Sequence, residues 1–417
     1  RMPATPELPP TAGPDEELLR REGYAVEVVT ATEDWGVRHV IGGIAPQLQQ
    51  DERGRALIYR IRHGHLTRAV LANYRGYDGE TVPALDRLQR HEPVDEQGRS
   101  YRGIWLVIDE FTRAQIDAAF GSLLTTLGGQ RAPTLAVPTE DGGECHVPLP
   151  RDFRLIGTLN SFDRHFLNQM SEAMKRRFAF IDILPPARSQ AEQEQALAIF
   201  RALLRIGESR IAGVAADEAA GVAAVEGVLE VRREESPGEP QAHVRYRLDV
   251  HDDEARAALA CFWRLFSAIR LYRQLGTAQA EAVYAALLTG RAIGMSWSSA
   301  LDAALADTLA DQLQVLTRDE QHVLLAAIEH AADPHALRER VVAILKRLPG
   351  PRQTAHLSQL KAHETADAPG IDVMNPDSLD VEQVRHLFGE DTGGPAILPS
   401  NGLFAGRLRA FASERGL

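Results

Sequence analysis

Cysteine, lysine and long apolar runs are all scarce in this chain, and each scarcity removes a class of protein. Cys145 and Cys261 are the two cysteines in 417 residues and lie outside any CxxC or Cys/His spacing, so neither a disulfide framework nor a zinc site is indicated. Both read as small apolar residues. No apolar run approaches the roughly 20 residues that span a bilayer, and the start lacks the basic, apolar and small-residue order of a signal peptide. A cytoplasmic protein without a membrane partner is expected. Lysine occurs only at Lys175, Lys346 and Lys361 among 46 basic residues. Beside heavy alanine use, this skew reads as biased coding composition, so the arginine excess carries little functional weight. The net charge of −12 argues against a globally basic nucleic-acid binder, while a local basic patch stays open.

What is present suits a soluble globular protein: 44% hydrophobic residues, on a chain long enough for two or three domains. Residues 1–16 are rich in proline, alanine and acids, and 1–23 read as a linker. Tyr24–Thr30 is a short β-prone run. Residues 51–75 alternate around Leu57–Ile61 and turn at His63-Gly64, predicting a hairpin that leads into a helix. Ile104–Ile108 (IWLVI) is a continuous apolar run, as a parallel strand covered on both faces requires. A helix is expected from about Ala114 to Leu127, then a second buried strand, Phe153–Leu159, ending at Asn160. Strand, helix and strand in alternation predict an α/β core over 24–186.

From residue 185 the pattern turns helical. Ser189 and Glu192 have capping-box spacing, and Ala196, Ile199, Phe200, Leu203 and Leu204 recur at helical intervals behind them. Val228–Val231 and His243–Val250 flank the polar ESPGEP stretch and predict an inserted β-hairpin near 228–250. Helices are expected at 254–273, 277–290, 298–316 and 319–347, giving a helical domain over 187–348. Residues 349–417 read as an irregular tail with short helices near 378–388 and 403–414.

Three segments carry chemistry. The IWLVI run ends in Asp109-Glu110, and the carboxyl ends of strands are where ligands sit in open α/β sheets. There one acid suits a Mg²⁺-bound water and the next suits polarising an attacking water. A solvated Asp-Glu turn is the plainer reading of such a pair alone. Arg154–Asn160 (RLIGTLN) is a second strand ending in an amide, which adjacent strands would bring beside Glu110. Met174–Phe178 (MKRRF) then follows a short helical stretch and precedes a predicted strand, Phe178–Ile183. Arg176 and Arg177 there suit either a helix C-terminus or a finger reaching a neighbouring subunit's phosphate.

Together, IWLVIDEFTRAQIDAAFGSLLTTL, FRLIGTLNSFDR and SEAMKRRFAFIDI resemble the McrB/MoxR and dynein-related branch of AAA+ ATPases, over roughly residues 24–186. The resemblance implies an α/β fold: a P-loop-type αβα sandwich core, N-terminally incomplete here, followed by an α-helical lid. It implies ATP and Mg²⁺ as cofactors, Asp109 for Mg²⁺, Glu110 as catalytic carboxylate, Asn160 as sensor 1, and Arg176 and Arg177 as trans-acting fingers. Asp163-Arg164 matches an NTxDR-like segment that faces a subunit interface or partner; a solvated pair is the bland alternative. It further implies a homo-oligomeric, hexameric ring, with a nuclease or a von Willebrand A-type protein as partner and nucleic acid left open. Residues 35–75 and 132–153 resemble the branch's two insert hairpins. The first carries Arg53, Arg55, Arg60, Arg62, His63, His65 and Arg68, which read either as a pore surface or as a solvated hairpin.

Two departures stand out. No G-x-x-x-x-G-K-[ST] loop exists, and the first lysine, Lys175, lies well past the acids. Because the chain opens with Arg1, N-terminal truncation is the simpler expectation, and a catalytically dead scaffold the other. A McrB-like GTP-dependent DNA translocase serving a nuclease is a third. The second departure is Gly276–Ala280, which lacks the arginine that MoxR-like lids often carry; Arg273 is the nearest substitute, with a surface cation the plainer reading.

Overall fold

The computed structural model describes residues 23–51, 54–95, 98–123, 133–139, 142–159, 170–208, 211, 213–235, 244–364, 370–389 and 398–414. The chain forms two compact units, the first ending at Ile181 and the second starting at Asp182.

In chain order the first unit contains β1 (Ala25–Thr30), a single turn α1 (Val37–Val40), the hairpin β2 (Gly42–Asp51) and β3 (Gly54–His63), and α2 (His65–Leu71). After these come β4 (Ile104–Asp109), α3 (Ile116–Phe120), the hairpin β5 (Thr134–Pro138) and β6 (Glu144–Pro148), β7 (Leu155–Gly157) and α4 (Glu172–Lys175). The organising element is a parallel sheet in the order β1-β4-β7. Leu106 and Ile108 of β4 are fully buried on one face, in a cluster with Leu66, Val70, Leu71, Phe111 and Phe120. Each such side chain contributes about 1.5–3 kcal/mol by leaving water. Asn73, just past α2, holds that helix to the sheet: its amide donates to the Ala69 and Ile104 carbonyls, and its oxygen accepts from the Ile104 N–H at 2.9 Å. Gly103 permits the approach, since a Cβ there would lie 2.4 Å from the Asn73 amide oxygen.

The opposite face is different. Register places Val28 beside Val107 and Val107 beside Ile156, and Val28 is 64% exposed. Buried parallel sheets are covered on both faces, and among the described residues only one face of this sheet is. The run Phe178–Ile183, expected as a strand, is irregular, with Ile183 94% exposed. A strand exists through its neighbour's hydrogen bonds, and no described strand lies beside this one.

The second unit begins with α5 (Ala191–Glu208), followed by β8 (Val214–Asp217), β9 (Val222–Val225), β10 (Leu229–Glu235) and β11 (Val244–Val250). The remainder is helical: α6 (Asp253–Arg270), α7 (Thr277–Ala292), α8 (Trp297–Thr308), α9 (Arg318–Glu329), α10 (Pro334–Lys346), α11 (Gly350–Lys361), α12 (Val381–Phe388) and α13 (Leu403–Glu414). The expected hairpin is the outer half of a four-stranded antiparallel sheet, β11-β10-β9-β8. The alanine-rich runs VAAD and VAAV of β8 and β9 carry too little β-branched or aromatic character to announce strands. Residues 319–347, expected as one helix, are two, because Asp333 caps α10 and Pro334 sits in its first turn. Leu357, Leu360, Leu387, Phe388, Phe404 and Leu408 of the last three helices pack into the same core as α5 to α10. Asp302 of α8 anchors this last segment by accepting from the Leu403 and Phe404 N–H groups at the start of α13.

The second unit also buries one ion pair. Glu194 of α5 takes both terminal nitrogens of Arg270 of α6, at 2.6 and 2.7 Å, and the Thr277 hydroxyl at 2.9 Å. Arg270 lies 4.4 Å over the Phe266 ring and donates to the Leu275 carbonyl. Removing one partner of such a pair leaves a buried charge unanswered. Arg270→Ala is therefore expected to destabilise the second unit by about 3–5 kcal/mol in urea unfolding, and the Glu194→Leu/Arg270→Leu double variant by clearly less. A double variant no more stable than the single one would contradict this reading.

Candidate functional site

The acids of β4 sit where a parallel sheet ends. Asp109 is the last residue of β4, in register with Thr30 of β1, and its carbonyl accepts from the Ala31 N–H at 2.9 Å. On the other side, Thr158, the first residue after β7, connects both acids. Its N–H donates to the Ile108 carbonyl and its carbonyl accepts from the Phe111 N–H, each at 2.9 Å. Its hydroxyl donates to Asp109 Oδ1 at 2.5 Å and accepts from the Glu110 N–H at 3.2 Å. The expected adjacency of the two motif-bearing strands is thus present, with the side chain of Thr158 as the link.

Glu110 is the only described non-glycine residue with positive φ, at φ 52 and ψ 41. That left-handed conformation costs an L-residue roughly 1–2 kcal/mol and turns the chain sharply out of the strand. Its carboxylate accepts from Arg113 Nε at 2.7 Å. Just below, Gly157 is required by close packing, since a Cβ there would come within 2.8 Å of the Phe111 ring. Phe111 in turn meets Phe120 and Phe178, at ring-centroid distances of 5.2 and 5.6 Å.

Through Phe178 the basic run is packed close to the strand end. Its helix α4 is docked by the fully buried Met174, and Asp117 accepts from the Ser171 N–H and hydroxyl at 2.7 and 2.6 Å. Arg176 and Arg177 are both exposed at the C-terminal end of α4. Arg177 donates to the Ala173 carbonyl at 2.7 Å, the helix-end role that any such arginine can take. The Arg176 side chain has no hydrogen bond among the described residues, while its N–H donates to the Glu172 carbonyl at 3.2 Å. Asn160, Asp163 and Arg164 lie outside the described residues.

Of the basic hairpin residues, Arg53 and the side chain of Arg55 lie outside the described residues, and several of the others are engaged locally. Arg68 pairs with Glu27 at 3.1 Å, Arg60 with Glu80 at 3.9 Å, and His65 stacks on Trp35. Burial holds His63 and His65 below the ordinary imidazole range, so both are neutral at pH 7. Arg273 is half-buried in the second unit and not a fully solvated cation. Sequence reasoning missed two residues of the strand end. Thr158 stood inside the quoted GTLN run, and Arg113 stood three positions after Glu110, but neither has a spacing signature of its own.

The donor set at the strand end fits a hard cation held mainly by water and ligand oxygens. Asp109 is exposed and keeps a second carboxylate oxygen, Oδ2, for a bound water. No cluster of three or more His, Cys, Asp or Glu suited to caging a metal exists among the described residues. The phosphate-holding half of a nucleotide site is a different matter, because no described residue supplies a glycine-rich cradle or a lysine there.

Residues 16–178 match the family model of the AAA domain, dynein-related subfamily, a stretch that includes the strand-end acids, Thr158 and the two arginines. No curated protein matches the chain. With the parallel sheet and the helical region that follows it in sequence, the match gives the fold as an AAA+ α/β core followed by a helical lid. It supports a general AAA+ ATPase, a domain type that implies nucleotide binding and hydrolysis. No described helix is long and apolar enough to cross a membrane.

The backbone at Glu110 gives a test that does not depend on activity. Glu110→Asn, a residue that tolerates the left-handed region, is expected to change unfolding stability by less than about 1 kcal/mol, whereas Glu110→Val should cost about 2 kcal/mol or more. Equal effects of the two substitutions in thermal or urea unfolding would rule out the strained turn.

Proposed function

We propose that the chain is an AAA+ ATPase subunit of the MoxR/McrB-like kind that couples nucleotide hydrolysis to remodelling or translocation of a partner. The observation that carries this reading is the Thr158 link, which joins Asp109 and Glu110 to the neighbouring strand on the approach to Asn160. Bound with ATP, Mg²⁺ would supply positive charge to neutralise what develops on the phosphates. Asp109 would hold a water of that ion, with Thr158 fixing which carboxylate oxygen remains available. Glu110 polarises the attacking water and Asn160 orients it. Arg113 is a positioning residue: it holds the Glu110 carboxylate at 2.7 Å, a contact that Glu110 exchanges for water when it acts. Arg176 and Arg177 reach the phosphates of a neighbouring subunit in a ring, where a planar guanidinium stabilises the transferring group.

The phosphate-binding loop belongs, in this reading, to a segment outside the 417 residues. The open sheet face at Val26 and Val28 and the exposed apolar run Phe180, Ile181, Ile183 and Leu184 support that placement. A helix following such a loop would cover the one, and the strand before it would pair beside the other. ATP is the expected nucleotide. Faster turnover of GTP, together with a nuclease partner, would assign the protein to the translocase kind.

In the protein carrying its phosphate loop, Glu110→Gln is expected to bind nucleotide as wild type does while losing hydrolysis by 10²-fold or more, of the order seen when a catalytic proton acceptor is removed. Steady-state phosphate release and nucleotide binding measure the two halves. Unchanged hydrolysis would overturn the role of Glu110. Absence of both binding and hydrolysis in the wild-type protein would leave the scaffold reading in its place. Arg176→Ala or Arg177→Ala subunits mixed with wild type are expected to depress activity more steeply than their mole fraction; a linear decline would argue against a finger acting in trans.

A further inference from the structure

Away from the strand-end acids, the helical region of the second unit contains a charged cavity that the proposed ATPase cycle does not use. It has a volume of about 260 Å³ and lies among α9, α10 and α13. Arg318 and His322 of α9 share one helical face, Arg340 enters from α10, and Arg409 and Ser413 come from α13. The buried side chains of Leu325 and Ala412 form part of its wall.

The charges are unequally balanced. Arg409 is fixed by Glu329, with Nη2 to Oε1 at 2.7 Å, and by the Ser400 carbonyl at 2.7 Å, so its charge is answered within the site. Arg318 and Arg340 have no ion pair or hydrogen bond among the described residues. Burial first, then Arg318 and Arg340, lower the His322 pKa against the opposing pull of Asp319, so the ring enters the site as a neutral donor or acceptor. Among the described residues, a lining of three guanidiniums and one carboxylate leaves a surplus of two positive charges on a chain whose net charge is −12.

Two unanswered guanidiniums at the rim of one half-open hollow match a compact dianion. Guanidinium forks bind phosphate oxygens two at a time, which an ammonium or a lone backbone N–H cannot do. The volume lies just below the roughly 300–1,000 Å³ of pockets for drug-sized ligands, so the occupant is small. The His322 ring adds a neutral hydrogen-bonding group, the Ser413 hydroxyl already donates to the Ala410 carbonyl at 2.8 Å, and Leu325 and Ala412 give an apolar wall for a short organic residue. We propose that this cavity binds a small phosphate-bearing ligand, with Arg318 and Arg340 as its principal contacts.

Isothermal titration calorimetry of the full chain at low ionic strength, with inorganic phosphate and with glycerol 3-phosphate as separate ligands, tests this. Binding of at least one is expected, weakening at least tenfold in R318A/R340A, since hydrogen bonds to charged groups are stronger than those between neutral ones. The same binding should persist in D109A, which alters only the strand-end site. Tighter binding of the ester would assign the ligand as a phosphorylated small molecule, and equal binding would assign it as phosphate itself. Both arginines are exposed at the cavity rim, so the double variant should fold, and an unchanged circular dichroism spectrum checks this. The charge reversal R318E/R340E should abolish binding altogether. Failure of both ligands to bind, binding that survives R318A/R340A, or binding lost in D109A would each overturn the proposal.

Discussion

The hydrogen bond from the Thr158 hydroxyl to Asp109 is the contact around which the strand end is organised. Parallel strands expose their last carbonyls and side chains at one edge, and nothing in the ladder itself fixes a carboxylate there. Thr158 does so by donating to Asp109 while accepting from the Glu110 N–H. It thereby fixes one acid by its side chain and the other by its backbone. Gly157 allows β7 to pass close to Phe111, and Phe111 brings Phe178 and the basic run toward the same edge. The left-handed turn at Glu110 is the local cost of leaving β4 so abruptly.

Much of this was legible from the residues alone because the signals were local. The continuous IWLVI run reads as a strand, though only one of its faces is covered among the described residues, the acids end it, and RLIGTLN repeats the pattern on a neighbour. What stayed hidden depends on contacts distant in sequence. Thr158 becomes special only once β4 and β7 are paired, and Arg113 only once Glu110 takes its unusual φ. The Phe178–Ile183 run has the composition of a strand, yet composition supplies no partner, and among the described residues it has none. The break between α9 and α10 was readable from Asp333-Pro334 but was outweighed by the apolar periodicity on both sides. Asn160 and the Asp163-Arg164 pair lie outside the described residues, so the amide side of the site stands on the sequence pattern and on the adjacency of its strand.

The second unit follows a different logic. Its core is large and built almost wholly from helices, and some of its buried polar groups are matched across long sequence distances, whereas Gln321 Oε1 and Arg291 Nε are buried without a partner among the described residues. Glu194, Arg270 and Thr277 answer one another in the interior, and Asp302 caps a helix that begins 101 residues later in the chain. Against that background, Arg318 and Arg340 are conspicuous for facing a cavity without acids of their own. The candidate site of the first unit thus rests on strand ends, while the second unit is a helical core with a charged hollow among its described residues.

The central claim is that Glu110 and Asn160 act on a single water beside a bound triphosphate. A structure of the assembled protein, with its phosphate loop and a non-hydrolysable nucleotide, tests it most directly. The account predicts one ordered water within about 3 Å of both the Glu110 carboxylate and the Asn160 amide, in line with the terminal phosphate. A water held by neither group, or the two side chains directed to separate sides of the sheet, would contradict it.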